Sequence, residues 1–123
     1  MKKYFFFFLL LVIACAPVSA QNVKEQIAAK AGAILPEMIQ WRRYLHEHPE
    51  LSNREFKTAE YITTHLKKLG LEVQTGIAKT GVVAVLKGGK FGPVIALRAD
   101  MDGLPVKERV AIPFASKAEG EYL

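Results

Sequence analysis

Apolar residues at Val23, Ile27, Ala31, Ile34, Leu35, Met38, Trp41 and Leu45 recur at spacings of three and four. That period predicts a helix over residues 22–47 with one face meant for burial. Pro36 falls inside the run, where it removes a backbone donor and crowds the preceding turn, so the pattern predicts two helices or one kinked there. A further helix is announced by "LSNREF": Ser52 is placed to cap the free amides, Glu55 to reach back to the cap, and Leu51 to pack on Phe56. Its stripe is Phe56, Ala59, Ile62, Leu66 and Leu69, and Gly70 supplies the left-handed residue that ends it.

The period then changes from helical to extended. "LEVQT", "GVVAVLKG" and "PVIALRAD" are rich in β-branched residues and separated by glycine-containing breaks, which predicts strands near residues 71–75, 81–88 and 93–100. "GGKFG" suits a hairpin between the last pair, and a parallel arrangement with a strand inserted between them is the alternative. Past Pro105 no period holds, and the text reads as loop with a short extended piece near residues 112–114. The fold class is α/β, with two or three helices followed by three strands.

The first twenty residues do not belong to that pattern. "MKKYFFFFLLLVIACAPVSA" has a basic start, an apolar stretch and small residues at Val18 and Ala20, the composition of an export signal cleaved before Gln21. The expected product is secreted or periplasmic, with one domain over residues 21–123. "VIAC" offers a second reading, a lipoprotein signal that would leave Cys15 acylated and the protein membrane-anchored. With cleavage after Ala20 the mature chain has no cysteine and so no disulfide, despite an oxidising compartment.

Charge narrows the partners. Without Lys2 and Lys3 the 17 basic residues fall to 15 against 12 acidic ones, a net of +3, too weak and scattered to argue for nucleic acid. The pairs Arg42–Arg43 and Lys67–Lys68 read as solvated helix faces. "KGGKFG" lacks the strand, loop and helix order of a phosphate cradle. Trp41, Tyr44 and Phe56 read as core or lining residues.

Candidate chemistry collects in "LRADMDGLP". Asp100 and Asp102 are the chain's two aspartates, and on a strand alternate residues point to one side, so both would project with Arg98, about 6 to 7 Å apart in succession. At the carboxyl end of a strand such a pair can bind or orient a divalent metal, accept a hydrogen bond from a metal-bound histidine, or share a proton. The plainer alternative is that both cap the turn and pair with Arg98. His46 and His48 in "HEHP" lie two apart on a helix ending and point to different sides, which suits a structural role rather than chelation. His65 carries no assigned role.

Set side by side, "WRRYLHEHPELSNREFKTAEYI", "GVVAVLKGG", "IALRADMDGLPVKE" and "PFASK" resemble the amino-terminal part of a metal-dependent amidohydrolase. The resemblance is to the hippurate hydrolase, N-acyl-amino-acid amidohydrolase and indoleacetyl-amino-acid hydrolase branch of the aminoacylase and carboxypeptidase superfamily, and it runs over residues 38–123. It implies the start of a mixed-sheet, zinc-exopeptidase-like catalytic domain, with a lid domain later in the chain. It also implies two divalent ions, zinc or manganese, a water attacking the amide of a small N-acyl amino acid or peptide-like substrate, and a glutamate base. By the same resemblance Asp102 stands where the superfamily's aspartate orients a metal-bound histidine, and Asp100 where other branches place a histidine ligand. Gly103 replaces the more usual alanine, which is expected to loosen the turn.

The resemblance places the Cys-Gly-His-Asp-x-His ligand segment, the remaining ligands and the base after Leu123. The expectation is therefore a truncated, inactive segment without metal ligands or a stably bound ion, exposing a sheet edge and an apolar face. A homodimer is compatible with the full-length protein. The alternatives are an exopeptidase of the same superfamily, acting as carboxypeptidase or dipeptidase, and a non-catalytic secreted binding module.

Overall fold

A computed structural model describes residues 23–118; the predicted export signal, with Cys15, lies outside the described residues. The chain divides into two compact units, Met1–Pro36 and Glu37–Leu123. The described part of the first is the opening half of helix α1, with Val23 and Ile27 exposed. Apart from that helix half, all below belongs to the second.

Helix α1 runs as a single element, Val23–Glu47, through Pro36. Of the two alternatives for this stretch, a break into two helices at Pro36 is set aside. Proline forfeits only its own amide bond, and the turns on either side carry the ladder past it. The predicted buried face is not buried: no residue of α1 is, and Ile34, Leu35 and Met38 stay exposed.

Helix α2, Phe56–Lys68, starts later and differently from the predicted capping box. Glu55 is the N-cap and makes no side-chain cap bond, while Ser52 sits in a turn closed by Arg54 N–H donating to the Leu51 carbonyl at 2.9 Å. Asn53 takes the left-handed conformation there, φ 63°, which asparagine tolerates better than most residues. The free amides of the first turn are instead satisfied by Glu50. Its carboxylate accepts from Thr58 N–H at 2.7 Å and Lys57 N–H at 3.2 Å. The predicted staple also fails, since Phe56 is exposed.

The other end of α2 conforms to expectation. Gly70 has φ 76°, its N–H donates to the Lys67 carbonyl at 2.9 Å, and Leu71 N–H donates to the Leu66 carbonyl at 3.3 Å. This is the paired bonding of a Schellman ending.

Strands β1, Glu72–Ile77, and β2, Gly81–Val85, pair antiparallel with Val73 opposite Ala84 and Thr75 opposite Val82. The register shifts at Gly76, φ 76°, and the turn uses Ala78 and Lys79 at positive φ. Gly81 is required by close approach: a Cβ there would stand 2.5 Å from the Ile77 carbonyl oxygen. The hairpin thus joins the first and second predicted strands, not the second and third. Residues 93–100 form no strand, and residues 112–114 turn rather than extend, with Ala115 N–H donating to the Ile112 carbonyl at 3.1 Å.

Helix α2 packs on both strands, and the joint is polar. Thr80 Oγ1 donates to Glu55 Oε2 at 2.7 Å with both residues buried, fastening the hairpin turn to the helix start. Among the described residues no hydrophobic side chain is buried; Glu55, Thr58, Thr63 and Thr80 are. Trp41, Tyr44 and Phe56 therefore form no core. Trp41 meets His65 edge-on at 4.5 Å, and Tyr44 stacks on Tyr61 at 4.2 Å.

Candidate functional site

The acidic turn lies on irregular backbone, so the strand geometry that would aim Asp100 and Asp102 to one side is absent. Arg98 Nε donates to Asp100 Oδ1 at 3.0 Å, both side chains being exposed. Pairing with Arg98, the plainer reading, therefore holds for Asp100. Asp102 is exposed, and it borders the same cleft as Asp100.

That cleft, about 1040 Å³, opens between α2, the hairpin and the 97–108 segment. Ile62, Leu66, Val82, Ala84 and Leu97 give it an apolar wall, and Asp100, Asp102 and Glu108 reach its edge. An apolar hollow with a few acidic groups is the composition of many small-molecule sites. It is also the shape left where the apolar face of a sheet has no second layer.

The segment "HEHPE" holds the acidic turn in place. Gly103 N–H donates to the Glu50 carbonyl at 2.7 Å, and a Cβ on Gly103 would stand 2.7 Å from Pro49 Cβ. The expected loosening by glycine is overturned. Glycine lets the turn sit directly on Pro49, and an alanine there requires Pro49 to shift.

A second clasp closes farther along. His46 Nε2 lies 2.7 Å from Glu108 Oε2 and, since a carboxylate only accepts, carries the shared proton. That hydrogen bond, with help from Val110 N–H, holds the Glu108 carboxyl below the ordinary 4.5. Lys117 N–H donates to the Glu47 carbonyl at 2.8 Å, and its ammonium hydrogen-bonds the Glu47 carboxylate, which is held low in turn. The Thr80 hydroxyl does the same for Glu55. Phe114 lies edge-on to His46 at 5.7 Å and beneath the Arg43 guanidinium at 4.8 Å. Arg42 and Arg43 are thus more than a solvated face, because both approach the Phe114 ring. His48 turns away and bonds the Tyr44 carbonyl at 2.9 Å, so the histidines do diverge.

Sequence reasoning missed Glu50, Glu108 and Phe114. For Glu50 a signal existed: an acidic residue shortly before a helix start suits the positive end of the helix dipole. For Glu108 and Phe114 none did, because their partners lie more than sixty residues away in the chain, 62 in the case of Glu108 and His46.

Among the described residues no group of three histidine, cysteine, aspartate or glutamate side chains is placed to hold a metal ion. Asp100 is engaged by Arg98, and His46 by Glu108. These residues by themselves do not fit a metal centre.

No family model matches the chain. It is 43% identical over 97 residues to the N-acyl-L-amino acid amidohydrolase of Geobacillus stearothermophilus, covering 79% of this chain and 26% of that one. To the N-acetyl-L-cysteine deacetylase of Bacillus subtilis it is 46% identical over 84 residues, 68% of this chain and 20% of that one. A crystal structure of the Bacillus subtilis YXEP protein, a dinuclear metal binding peptidase from the M20 family, superposes with TM-score 0.66 at 47% identity, over 72% of this chain and 25% of that one. The described residues thus have the fold of part of an M20 peptidase domain. The chain is similar to amidohydrolases and to M20 peptidases, and spans about a quarter of the length of the relatives it matches.

Proposed function

We propose that the chain is part of an exported, metal-dependent amidohydrolase that cleaves the amide of small N-acyl amino acids, releasing a carboxylic acid and a free amino acid. The observation that carries this reading is 43% identity over 97 residues to an N-acyl-L-amino acid amidohydrolase, in a chain that sets an acidic turn at a cleft's edge. Asp102 is the residue assigned to orient a metal-bound histidine, with Asp100 beside it as the further site candidate. Two divalent ions, zinc or manganese, are proposed for the intact enzyme, their ligands coming from outside the described residues. This chain's contribution is positional: it supplies Asp102, the wall of the cleft and the clasps that hold the turn.

The test is Asp102→Asn in the intact enzyme, assayed on N-acetyl amino acids. Metal content is expected to be largely kept and turnover to fall about 10- to 100-fold, the usual cost of losing a partner behind a metal ligand. Unchanged turnover would sink the assignment. The isolated chain, given zinc or manganese, is expected to show no hydrolysis. Export is read from the mature amino terminus, which begins at Gln21 if cleavage follows Ala20 and at an acylated Cys15 if the lipoprotein signal is used. Likeness to an M20 peptidase supports a second reading, exopeptidase activity, which faster release of residues from dipeptides than from N-acetyl amino acids would favour.

A further inference from the structure

We propose that Glu50 is a positioning residue for Asp102, fixing the acidic turn through its main chain while its own side chain is locked onto the start of α2. The inference deepens the amidohydrolase reading and rests on it.

Three bonds meet at this residue. The carboxylate accepts Thr58 N–H at 2.7 Å and Lys57 N–H at 3.2 Å, and the carbonyl accepts Gly103 N–H at 2.7 Å. The first two are charge-assisted and lie at the positive end of a helix, where a carboxylate is favoured. Thr58 is buried, so the stronger of them is partly shielded from water. The third acts directly beside Asp102. The amide of Gly103 belongs to the peptide plane that follows Asp102, and holding a planar peptide fixes the last backbone rotation of that aspartate. The direction in which its side chain leaves the turn is fixed with it.

Pro49 completes the clamp from the side. Its ring restricts the backbone just before Glu50, and it lies so near Gly103 that a Cβ there would be 2.7 Å away. The neighbouring turn otherwise bonds within itself, as in Val106 N–H to the Leu104 carbonyl at 2.8 Å and Arg98 to Asp100 at 3.0 Å. Neither bond refers the aspartate to the helices. The His46–Glu108 and Lys117–Glu47 contacts hold the loop farther on. Glu50 converts the position of α2 into the position of Asp102.

The experiment uses the intact enzyme with Glu50→Ala, Glu50→Gln and Glu50→Asp, assayed for kcat, KM, metal content and Tm. Glu50→Ala is expected to lower kcat about tenfold with KM and metal content nearly unchanged, within the 10²-fold that a ~1 Å misplacement can cost. Glu50→Gln keeps one acceptor and is expected to recover most of the loss. Glu50→Asp keeps the charge but falls short of both amides, and is expected to behave like alanine. Should Glu50→Ala fail to fold, the glutamine and aspartate variants carry the comparison.

Glu50→Ala combined with Asp102→Asn is the decisive case. If Glu50 acts through Asp102, the double variant has the kcat of Asp102→Asn alone. Multiplied losses would overturn the proposal. So would a lowered Tm with unchanged kcat per folded molecule, the mark of a purely structural residue. Full turnover in Asp102→Asn itself would instead overturn the parent reading.

Discussion

Two stretches of this chain carry similar apolar, β-branched text and meet different fates. "GVVAV" pairs along its length with β1, is bent back by a short turn, and is fastened to α2 through Thr80 and Glu55. "PVIAL", twelve residues on, pairs with nothing among the described residues, and Val94 and Leu97 are 97% and 96% exposed. The difference teaches that apolar text selects extended backbone only where a partner strand is near at hand. A hairpin brings its own partner at a small loop-closure cost, whereas a strand that reads as apolar on both faces needs neighbours on both sides.

The sharpest way to break this contrast is amide hydrogen exchange. In the chain by itself, Ile62 and Thr63 in α2 are expected to exchange at least about 10²-fold more slowly than Val94 to Leu97, since opening free energies run from near zero in unpaired segments to the global value in packed ones. Equal rates would abolish the distinction. In the proposed full-length enzyme, slower exchange at the 94–97 amides would show that strands from elsewhere pair with them.

A smaller effect sharpens the hairpin side. Gly81→Ala places a methyl 2.5 Å from the Ile77 carbonyl oxygen, and the forced shift is expected to cost about 1–3 kcal/mol, read by urea denaturation. Thr80→Val keeps the shape and removes the hydroxyl from buried Glu55, with an expected drop in Tm of about 4 °C.

The same bond predicts a pH dependence. The carboxyls of Glu47, Glu55 and Glu108 are all held below the ordinary 4.5 in the folded chain. A carboxyl held low when folded contributes stability that is complete above its unfolded value and is lost as the pH falls through the folded one. Stability should therefore decline on acidification below 4.5, and Thr80→Val should flatten that decline. An identical acid limb in the variant would show that Glu55 owes nothing to Thr80. Least of all is expected from Lys87→Met, which breaks an exposed 3.3 Å pair with Glu72 on the same hairpin and should change stability by ~0.5 kcal/mol or less in denaturant.

Legibility in the sequence follows the same division. The extent of α1, the Gly70 ending of α2 and the two strands of the hairpin could be read because each is written in residues within a few positions of one another. The start of α2 was misread for a related reason. Ser52 and Glu55 satisfy the capping pattern, yet Glu50 reaches the same amides from farther upstream, and Glu55 is drawn away to Thr80. The acidic turn was visible as two neighbouring aspartates, whereas its supports at Glu50 and Pro49 were not, because the contact spans half the chain.

The sequence by itself determined where the helices run, which stretches read as extended, where the acidic groups stand, and which known hydrolases the chain resembles. Those properties rest on short-range periodicity and on motifs that survive in one dimension. Only the tertiary structure decided that the main chain of Glu50 holds Gly103, that His46 meets Glu108, and that the 93–100 stretch stays unpaired. Hydrogen bonds and close packing between distant segments depend on distance in space, and no local pattern encodes that.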